Sequence, residues 1–198
     1  MKNCGIILLA AGESTRLGRP KQLLPYGDKT LVKHVLDAAL AALPDQLMMV
    51  TGAYRNLVPQ NDSFHTIYNA EWKEGMASSI RCGLSALLKK GPGLDSVIFI
   101  VCDQPYISAT LLKEMMDAHA ATGKEIVACQ YADTVGIPAL FGKSFFDSLL
   151  QLRGDEGAKR IIMQNPGSVA VVDFPQGNID IDTAGDYAAL QGKDIPPV

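Results

Sequence analysis

The sequence CGIILLAAGESTRLGRPK, Cys4–Lys21, joins a strand to the loop that follows it. Its first part, Cys4–Ala11, is a nearly continuous apolar run, which is typical of a strand covered on both faces of a parallel sheet. The run breaks at Gly12. This stretch therefore predicts a layered α/β fold with a ligand loop at the carboxyl end of a central strand.

The loop after this strand has the composition of a phosphate site. Gly12 and Gly18 let the backbone approach a ligand closely, and inward-turned amides there offer partial positive charge to phosphate oxygens. Arg16 and Lys21 add full positive charges. The spacing fits neither G-x-x-x-x-G-K-[ST] nor G-x-G-x-x-G. A solvated turn with incidental basic residues is the alternative interpretation of the loop alone.

Length and composition predict one ordinary globular domain. The chain has 198 residues, 47% hydrophobic and 20% charged, with a formal net charge of -3. That charge does not favour a nucleic-acid binder with a broad basic surface. The first apolar run is too short for a signal peptide or a membrane span. We therefore expect a cytoplasmic protein that binds neither nucleic acid nor membrane.

Apolar runs alternate with helical patterns along the chain, which favours an α/β sandwich. The predicted strands are Gln46–Thr51, His65–Tyr68, Ser96–Cys102, Glu125–Cys129, an extended Pro138–Phe141, and Val169–Asp173. The predicted helices are 30–43, 77–88, one from Ser108, 144–150, 156–164, and a short one after Thr183. Thr30 and Ser108 are candidate N-caps, and Thr183 with Asp186 has capping-box spacing.

A second chemical feature is VCDQP, Val101–Pro105, in which Asp103 follows a predicted core strand. Ligands collect at the carboxyl ends of strands in open α/β sheets, and Mg²⁺ accompanying a triphosphate takes one or two protein carboxylates. Asp180 and Asp182 flank one residue of a predicted strand, so they should share a face. We expect Asp103 and Asp182 to be the metal ligands, with Asp182 preferred over Asp180 because it lies nearer the turn into the last helix.

Other catalytic classes find little support in the sequence. The four cysteines, Cys4, Cys82, Cys102 and Cys129, show no C-x-x-C pair and no histidine at zinc-ligand spacing. The three histidines are isolated in sequence, so neither a histidine metal site nor a serine–histidine triad is indicated. Reduced, mostly buried thiols and structural histidines are expected.

The motifs taken together resemble the molybdenum cofactor cytidylyltransferases among the molybdopterin nucleotidyltransferases. The resemblance rests on LAAGESTRLGRPK, CDQP and DIDTAGD, with further matches in NAEWKEGMASSI, GIPALF and LRGDEGAK. It spans nearly the whole chain. It implies a single-domain, Rossmann-like three-layer sandwich of the nucleotidyltransferase type, with a mostly parallel central sheet, over 1–198. It also implies a nucleotide-binding half at about 1–105 and an acceptor-binding half at about 106–198.

The resemblance further implies Mg²⁺-dependent transfer of CMP from CTP to the terminal phosphate of molybdopterin, with release of pyrophosphate. A molybdenum hydroxylase would receive the finished cofactor. Arg16, Lys21 and Asp103 are then catalytic, because phosphoryl-type transfer depends on positioning and charge rather than on a nucleophile. The implied nucleotide-binding residues are Leu9, Ala10, Ala11, Gly12, Arg16, Lys21 and Ser79, and the implied acceptor-binding residues are Gly136, Pro138, Gly154 and Asp155.

Some points stay open at the level of sequence. Ile137 stands where family members often carry histidine, so a polar contact to the acceptor is missing, comes from elsewhere, or was never needed. Ser78 and Ser79 fit a nucleotide contact or an ordinary first helical turn, and capping of the next helix is slightly favoured over substrate binding for Asp155. Other expected alternatives are GTP as donor, a sugar or polyol phosphate as acceptor, and a cofactor carrier without catalysis.

Overall fold

A computed structural model describes residues 3–57, 62–91 and 93–191 of the chain. Residues 1–2, 58–61, 92 and 192–198, which belong to the predicted domain 1–198, lie outside the described residues. The strands are β1 Cys4–Ala10, β2 Pro25–Tyr26, β3 Lys29–Thr30, β4 Leu47–Thr51, β5 His65–Tyr68, β6 Ser96–Val101, β7 Ile126–Tyr131, β8 Thr134–Gly142 and β9 Val169–Asp173. The α-helices are α1 Leu31–Ala42, α2 Met76–Lys90, α3 Ala109–Thr122, α4 Phe146–Leu150, α5 Lys159–Gln164 and α6 Ala184–Gln191. Short 3-10 helices span Lys21–Leu23, Trp72–Glu74, Lys143–Phe145, Pro166–Ser168 and Pro175–Asn178.

A seven-stranded sheet organises the chain, in the order β5-β4-β1-β6-β8-β7-β9. β5, β4, β1 and β6 pair in parallel, β8 is antiparallel to both β6 and β7, and β9 is parallel to β7. β2 and β3 form a separate small hairpin. The mostly parallel central sheet predicted from the sequence is confirmed.

Two apolar layers cover the sheet, and β1 shows how the sequence builds both. Ile6 and Leu8 belong to a cluster with residues of α1 and α3, while Ile7 and Leu9 belong to a second cluster with residues of α2, α4 and α5. Successive side chains of a strand point to opposite faces, so an unbroken apolar run supplies both clusters. The predicted three-layer sandwich is therefore confirmed.

The carboxyl ends of the central strands bring the two sequence motifs together. Ala10 is paired with Thr51 of β4, and Leu9 is paired with Val101 of β6. The loop after β1 and the Asp103 turn after β6 thus leave the sheet at the same edge. This edge carries the candidate site.

The helix caps follow the sequence in part. Ser108 accepts a hydrogen bond from the backbone N–H of Leu111, so its predicted N-cap is confirmed. The predicted capping box is also present, since the Thr183 N–H donates to Asp186 Oδ2 and the Asp186 N–H donates to Thr183 Oγ1. Thr30 stands at the N-cap position of α1 but its side chain makes no capping hydrogen bond.

Two further predictions of local structure were wrong. Residues 179–182 are not a strand; instead Ile181 is fully buried and its N–H donates to the carbonyl of Asp103, 3.1 Å away. The helix expected from residue 156 begins at Lys159, so Asp155 does not cap it. In the first place a hydrogen bond to the distant Asp103 overrides the strand pattern, and in the second a turn, in which the Glu156 N–H donates to the Arg153 carbonyl, precedes the helix.

The remaining structural expectations agree with the described residues. His34 Nε2 lies 2.6 Å from the carbonyl of Tyr26, and His119 Nδ1 lies 2.7 Å from that of Lys124. All four cysteines are free thiols, and Cys82 is the one that is not buried. No helix within the described residues is both long and apolar enough to cross a membrane.

Candidate active site

The loop after β1 is held by a buried glutamine. Gln22 is 1% exposed, and its Nε2 donates to the carbonyls of Ala10, at 3.1 Å, and Gly12, at 3.0 Å. Ser14 Oγ accepts from the backbone N–H of Lys21, which ties the loop to the 3-10 helix that carries both Lys21 and Gln22. Gly18 has φ of +70°, a left-handed conformation that glycine adopts without strain. The loop therefore has a fixed path.

A cleft of about 190 Å³ lies between this loop, the turn after β6 and the start of α2. The predicted residues that line it are Leu9, Ala10, Ala11, Gly12, Lys21, Ser79 and Asp103. Gln22, Trp72, Gly75, Met76, Val101 and Cys102 complete the lining. The cleft is smaller than the roughly 300–1,000 Å³ of typical ligand sites. Lys21 forms part of its lining.

Lys21 joins the two carboxylates that the sequence analysis singled out. Its Nζ lies 2.6 Å from Asp103 Oδ2 and 2.9 Å from Asp182 Oδ1. Burial alone would lower the pKa of Lys21, but the charge of Asp103 and the hydrogen bonds to both carboxylates outweigh it and raise that pKa. The ammonium is therefore fully charged at neutral pH.

Asp182 also pairs with Arg16, whose Nη2 lies 2.7 Å from Asp182 Oδ2. The guanidinium is 72% exposed, so solvent and salt screen this contact. Hydrogen bonding from Lys21, with the charges of Lys21 and Arg16, lowers the pKa of Asp182. The capping box fixes the backbone here, because the Asp182 N–H also donates to Asp186 Oδ2 at 3.2 Å. Arg16 is outside the cleft lining and lies beside it.

The donor set of this site fits a divalent cation. Asp103 and Asp182 each direct one oxygen at the same ammonium, so they converge on a single cation, and carboxylate oxygen is the ligand that Mg²⁺ prefers. Burial and the nearby charges of Asp103 and Asp182 raise the pKa of Asp180, which places a third carboxyl close by. Among the described residues no group of three or more His, Cys, Asp or Glu side chains could hold a metal. The two converging carboxylates, Asp103 and Asp182, match in number the one or two protein carboxylates that Mg²⁺ usually takes.

Asn69 is a site residue that sequence reasoning missed. It is 3% exposed and its Nδ2 donates to Ser78 Oγ, at 2.8 Å, and Ser79 Oγ, at 3.1 Å. Ser78 Oγ donates in turn to the Gly75 carbonyl. Ser79 lines the cleft with its hydroxyl already held by Asn69. A polar residue directly after strand β5 was the available signal.

The predicted acceptor residues on β8 lie beside the Asp103 turn. Gln104 Nε2 donates to the carbonyls of Ile137, at 3.1 Å, and Gly177, at 2.8 Å, and the Ile137–Pro138 peptide bond is cis. A Cβ on Gly136 would stand 2.3 Å from Tyr131 Oη. The phenol of Tyr131 therefore packs directly on Gly136, and burial raises its pKa. Tyr131 is a further polar group on this side that the sequence did not reveal.

The other predicted acceptor residues, Gly154 and Asp155, meet the start of α2. Gly154 has φ of +61°, and its N–H donates to Glu74 Oε1 at 3.0 Å while its carbonyl accepts from the Ala77 N–H at 3.1 Å. A Cβ on Gly75 would stand 2.3 Å from Asp155 Oδ1. Gly75 lines the cleft, so the Asp155 carboxylate lies beside it.

Comparison with known proteins agrees with this architecture. Residues 6–169 match the sequence family described as MobA-like NTP transferase domain. Nicotine blue oxidoreductase of Paenarthrobacter nicotinovorans is 28% identical over 189 residues, covering 89% of this chain and 91% of that protein. Purine catabolism protein PucB of Bacillus subtilis is 26% identical over 196 residues, covering 91% and 92%.

Solved structures show the same fold. Rv0371c of Mycobacterium tuberculosis superimposes with a TM-score of 0.83 at 32% identity, covering 97% of this chain and 99% of that chain. Another structure of Rv0371c, in complex with manganese, gives a TM-score of 0.77 at 31% identity, covering 97% and 99%. A divalent metal is therefore bound by a homologue of this chain.

Proposed function

The chain belongs to the family of MobA-like NTP transferase domains, and we propose that it transfers CMP from CTP to the terminal phosphate of a molybdopterin-type cofactor. The observation that supports this most is the Lys21 ammonium set between Asp103 and Asp182 at the edge of the cleft. Two carboxylates for a metal and two cations for phosphates are what nucleotidyl transfer needs. The motif resemblance supports the choice of CTP and of a molybdopterin acceptor.

In the proposed reaction an oxygen of the acceptor phosphate attacks the α-phosphorus of CTP. The new P–O bond forms as the bond between the α-phosphorus and the bridging oxygen to the β-phosphate breaks, and pyrophosphate leaves with that bridging oxygen. The cytidylylated cofactor keeps the transferred CMP. No covalent intermediate with the protein is needed, because positioning and charge stabilisation dominate this chemistry.

The protein residues have separate tasks in this proposal. The loop around Ala10–Gly12 receives base and phosphates, with its carbonyls oriented by Gln22. Arg16 and Lys21 offset the negative charge that grows on the pyrophosphate side as the bond breaks. Ser79 contributes a hydroxyl to the wall of the cleft, held in place by Asn69.

Asp103 and Asp182 would hold Mg²⁺ in the proposed enzyme. A bound Mg²⁺ neutralises phosphate charge and orients the triphosphate. The manganese complex of Rv0371c supports a divalent metal in a relative of this chain.

The acceptor is proposed to lie between two rims of the cleft. The proposed contacts on one side are Gly136 and Pro138, which flank the Ile137 carbonyl bound by Gln104, and on the other Gly154 and Asp155, which lie beside Gly75. The proposal also divides the chain into residues of about 1–105 for the nucleotide and about 106–198 for the acceptor, with Asp182 of the second half contributing to the proposed metal site. A molybdenum hydroxylase is the proposed recipient of the product.

Pyrophosphate release from CTP, GTP, ATP and UTP, each with Mg²⁺ and with or without molybdenum-loaded molybdopterin, tests the proposal. We expect release with CTP that depends on the acceptor. Release with GTP instead keeps the reaction and reverses the nucleotide assignment. Binding of the cofactor without release from any nucleotide contradicts catalysis and favours a carrier, or a different acceptor such as a sugar phosphate.

A further inference from the structure

The Lys21 ammonium occupies the place where the two proposed metal ligands converge. It contacts Asp103 Oδ2 and Asp182 Oδ1 at 2.6 and 2.9 Å, and its side chain is only 16% exposed. Asp103 and Asp182 are 20% and 28% exposed, so this is a largely shielded ion pair. Charge interactions in such a place are stronger than at an open surface.

A divalent cation and this ammonium compete for the same oxygens. Asp182 Oδ2 is already paired with Arg16, so both oxygens of Asp182 contact a protein cation. A metal ion brought to the carboxylates would place two positive charges beside a third one in the same shielded space. Like charges at this range repel, so metal affinity is low while Lys21 stays in place.

A nucleotide offers Lys21 another partner. The lysine lines the cleft, and its backbone is fixed through Ser14 and the neighbouring Gln22. The side chain has four rotatable carbons and a compact charge, so its ammonium can move by several ångströms without moving the backbone. The cleft of about 190 Å³, with Lys21 in its lining, is smaller than the roughly 300–1,000 Å³ of typical ligand sites, so it offers little room for a whole nucleotide while Lys21 stays at the carboxylates.

We propose that Lys21 is the counter-ion of Asp103 and Asp182 in the nucleotide-free protein and moves to the phosphates when nucleotide binds, so that nucleotide binding strengthens divalent-metal binding. This rests on the proposed function for the assignment of the two carboxylates. By linkage the metal strengthens nucleotide binding by the same factor. Lys21 thus couples the two ligands in addition to neutralising phosphate.

Manganese binding to the full chain without nucleotide tests whether Lys21 holds the two carboxylates against the metal, which the coupling requires. Free Mn²⁺ is measured by electron paramagnetic resonance for the wild type, Lys21→Met and Lys29→Met. Lys29 is the matched control, since its Nζ lies 2.9 Å from Asp37 Oδ2 in an ion pair that is outside the cleft lining. We expect Lys21→Met to bind one Mn²⁺ about tenfold more tightly than the wild type, and Lys29→Met to bind like the wild type. Equal or weaker Mn²⁺ binding by Lys21→Met overturns the proposal.

Two additions keep the result clear. The double variant Lys21→Met, Asp182→Asn should lose the tighter Mn²⁺ binding, because the ion is expected at these carboxylates. Tight Mn²⁺ binding by this double variant also overturns the proposal. Thermal unfolding of Lys21→Met in EDTA and in Mn²⁺ checks folding, and we expect Mn²⁺ to raise its Tm more than that of the wild type. These readouts need no turnover, so tight Mn²⁺ binding in Lys21→Met without pyrophosphate release by the wild type would retain the counter-ion role of Lys21 and contradict the proposed CMP transfer.

Discussion

At the scale of single residues, Gln22 holds the loop after β1 in place, although no motif in the sequence pointed to it. It follows the predicted cation Lys21, and its buried amide donates to two carbonyls of the loop, Ala10 and Gly12. Its own Oε1 is buried without a hydrogen-bond partner among the described residues. The geometry of the loop therefore depends on one side chain whose amide donates two hydrogen bonds while its oxygen accepts none among the described residues.

Gln22→Met should loosen the loop. It leaves two carbonyls without their donor, a cost of about 1–3 kcal/mol, and the loss of the unpaired Oε1 sets the expected change at the lower end. We expect lower stability in urea unfolding and weaker CTP binding by calorimetry. Gln130→Met, an exposed residue of β7, is the control and should change neither. Unchanged CTP affinity in Gln22→Met would show that the clamp does not shape the nucleotide site.

Asp103→Asn should separate catalysis from nucleotide binding. The amide keeps the size of the side chain but loses the charge that pairs with Lys21 and suits a metal. We expect turnover to fall by about 10²–10³-fold, while CTP binding measured in EDTA changes little. Near-normal turnover of this variant would remove Asp103 from the proposed metal site.

The residue scale also shows where sequence reasoning stopped. Asp103 and Lys21 could be predicted because each directly follows a strand or a loop with a clear pattern. Asp182 was preferred over Asp180 because it lies nearer the last helix. The segment around it is not a strand, however, and the position of Asp182 depends on the Ile181 hydrogen bond to Asp103 and on the capping box. Asn69 and Gln22 act through contacts between segments, which spacing along the chain does not encode.

At the scale of elements, the start of α2 is tied to the loop that carries Asp155. Arg81 donates from Nη1 and Nη2 to Glu74, at 2.8 and 2.6 Å, and from Nη1 to the Leu152 carbonyl at 2.6 Å. Glu74 also accepts from the Gly154 N–H. One ion pair thereby joins a wall of the cleft to the proposed acceptor rim.

The pH dependence of stability reports this tie. Hydrogen bonds from Arg81, and then from the Gly154 N–H, lower the pKa of Glu74 from 4.5 to about 2. Glu74 binds a proton more readily in the unfolded chain than in the folded protein. The stabilisation by its ionised carboxylate is therefore complete well above pH 4.5 and is lost as the pH falls toward 2. We expect Glu74→Gln to be less stable than the wild type at pH 7, with the difference shrinking between pH 5 and 2 in urea unfolding.

The control for this titration is Glu114→Gln, an exposed position on α3. Its stability difference from the wild type should be small across the whole range. A gap between Glu74→Gln and the wild type that stays constant from pH 7 to 2 would contradict the assignment of the low pKa to Glu74. Weaker binding of the acceptor without weaker CTP binding in Glu74→Gln would further support the acceptor rim.

Elements with strong periodicity were predictable, and so were the short strands β5 and β9, whose predicted bounds match the structure, whereas the start of α5 was not. The β1 run and the α2 and α3 patterns gave the right element type because burial on a sheet face or one helical face leaves a repeat. α5 was misplaced at its start because the turn at Gly154 is fixed by Glu74 and Ala77, which are distant in sequence. That same contact removes Asp155 from a capping role and leaves it at the cleft.

At the scale of the whole molecule, the sheet is the frame that brings residues of the first loop, the Asp103 turn and the C-terminal segment to one edge. The alternating patterns predicted a layered α/β fold, and the family resemblance implied a mostly parallel sheet. The sequence did not predict that β8 runs antiparallel between β6 and β7, because an apolar run carries no information on strand direction. The β8 insertion is what places Ile137 beside Gln104.

Stability of this frame should depend on the two buried layers. Leu8 is fully buried in the layer covered by α1 and α3, so Leu8→Ala should cost about 2–5 kcal/mol. Val171 is 47% exposed on the edge strand β9, so Val171→Ala should lower the free energy of unfolding by no more than about 0.5 kcal/mol. Urea unfolding of both variants compares them. Equal losses would contradict the three-layer packing derived for β1.

The transfer itself is tested most directly with CTP labelled at the α-phosphorus, incubated with Mg²⁺ and molybdenum-loaded molybdopterin. We expect the wild type to move the label into the cofactor product while unlabelled pyrophosphate is released, and Asp103→Asn to do so at about 10²–10³-fold lower rate. Label that stays in CTP, or appears only as free CMP with no labelled cofactor, would contradict cytidylyl transfer as the function of this chain.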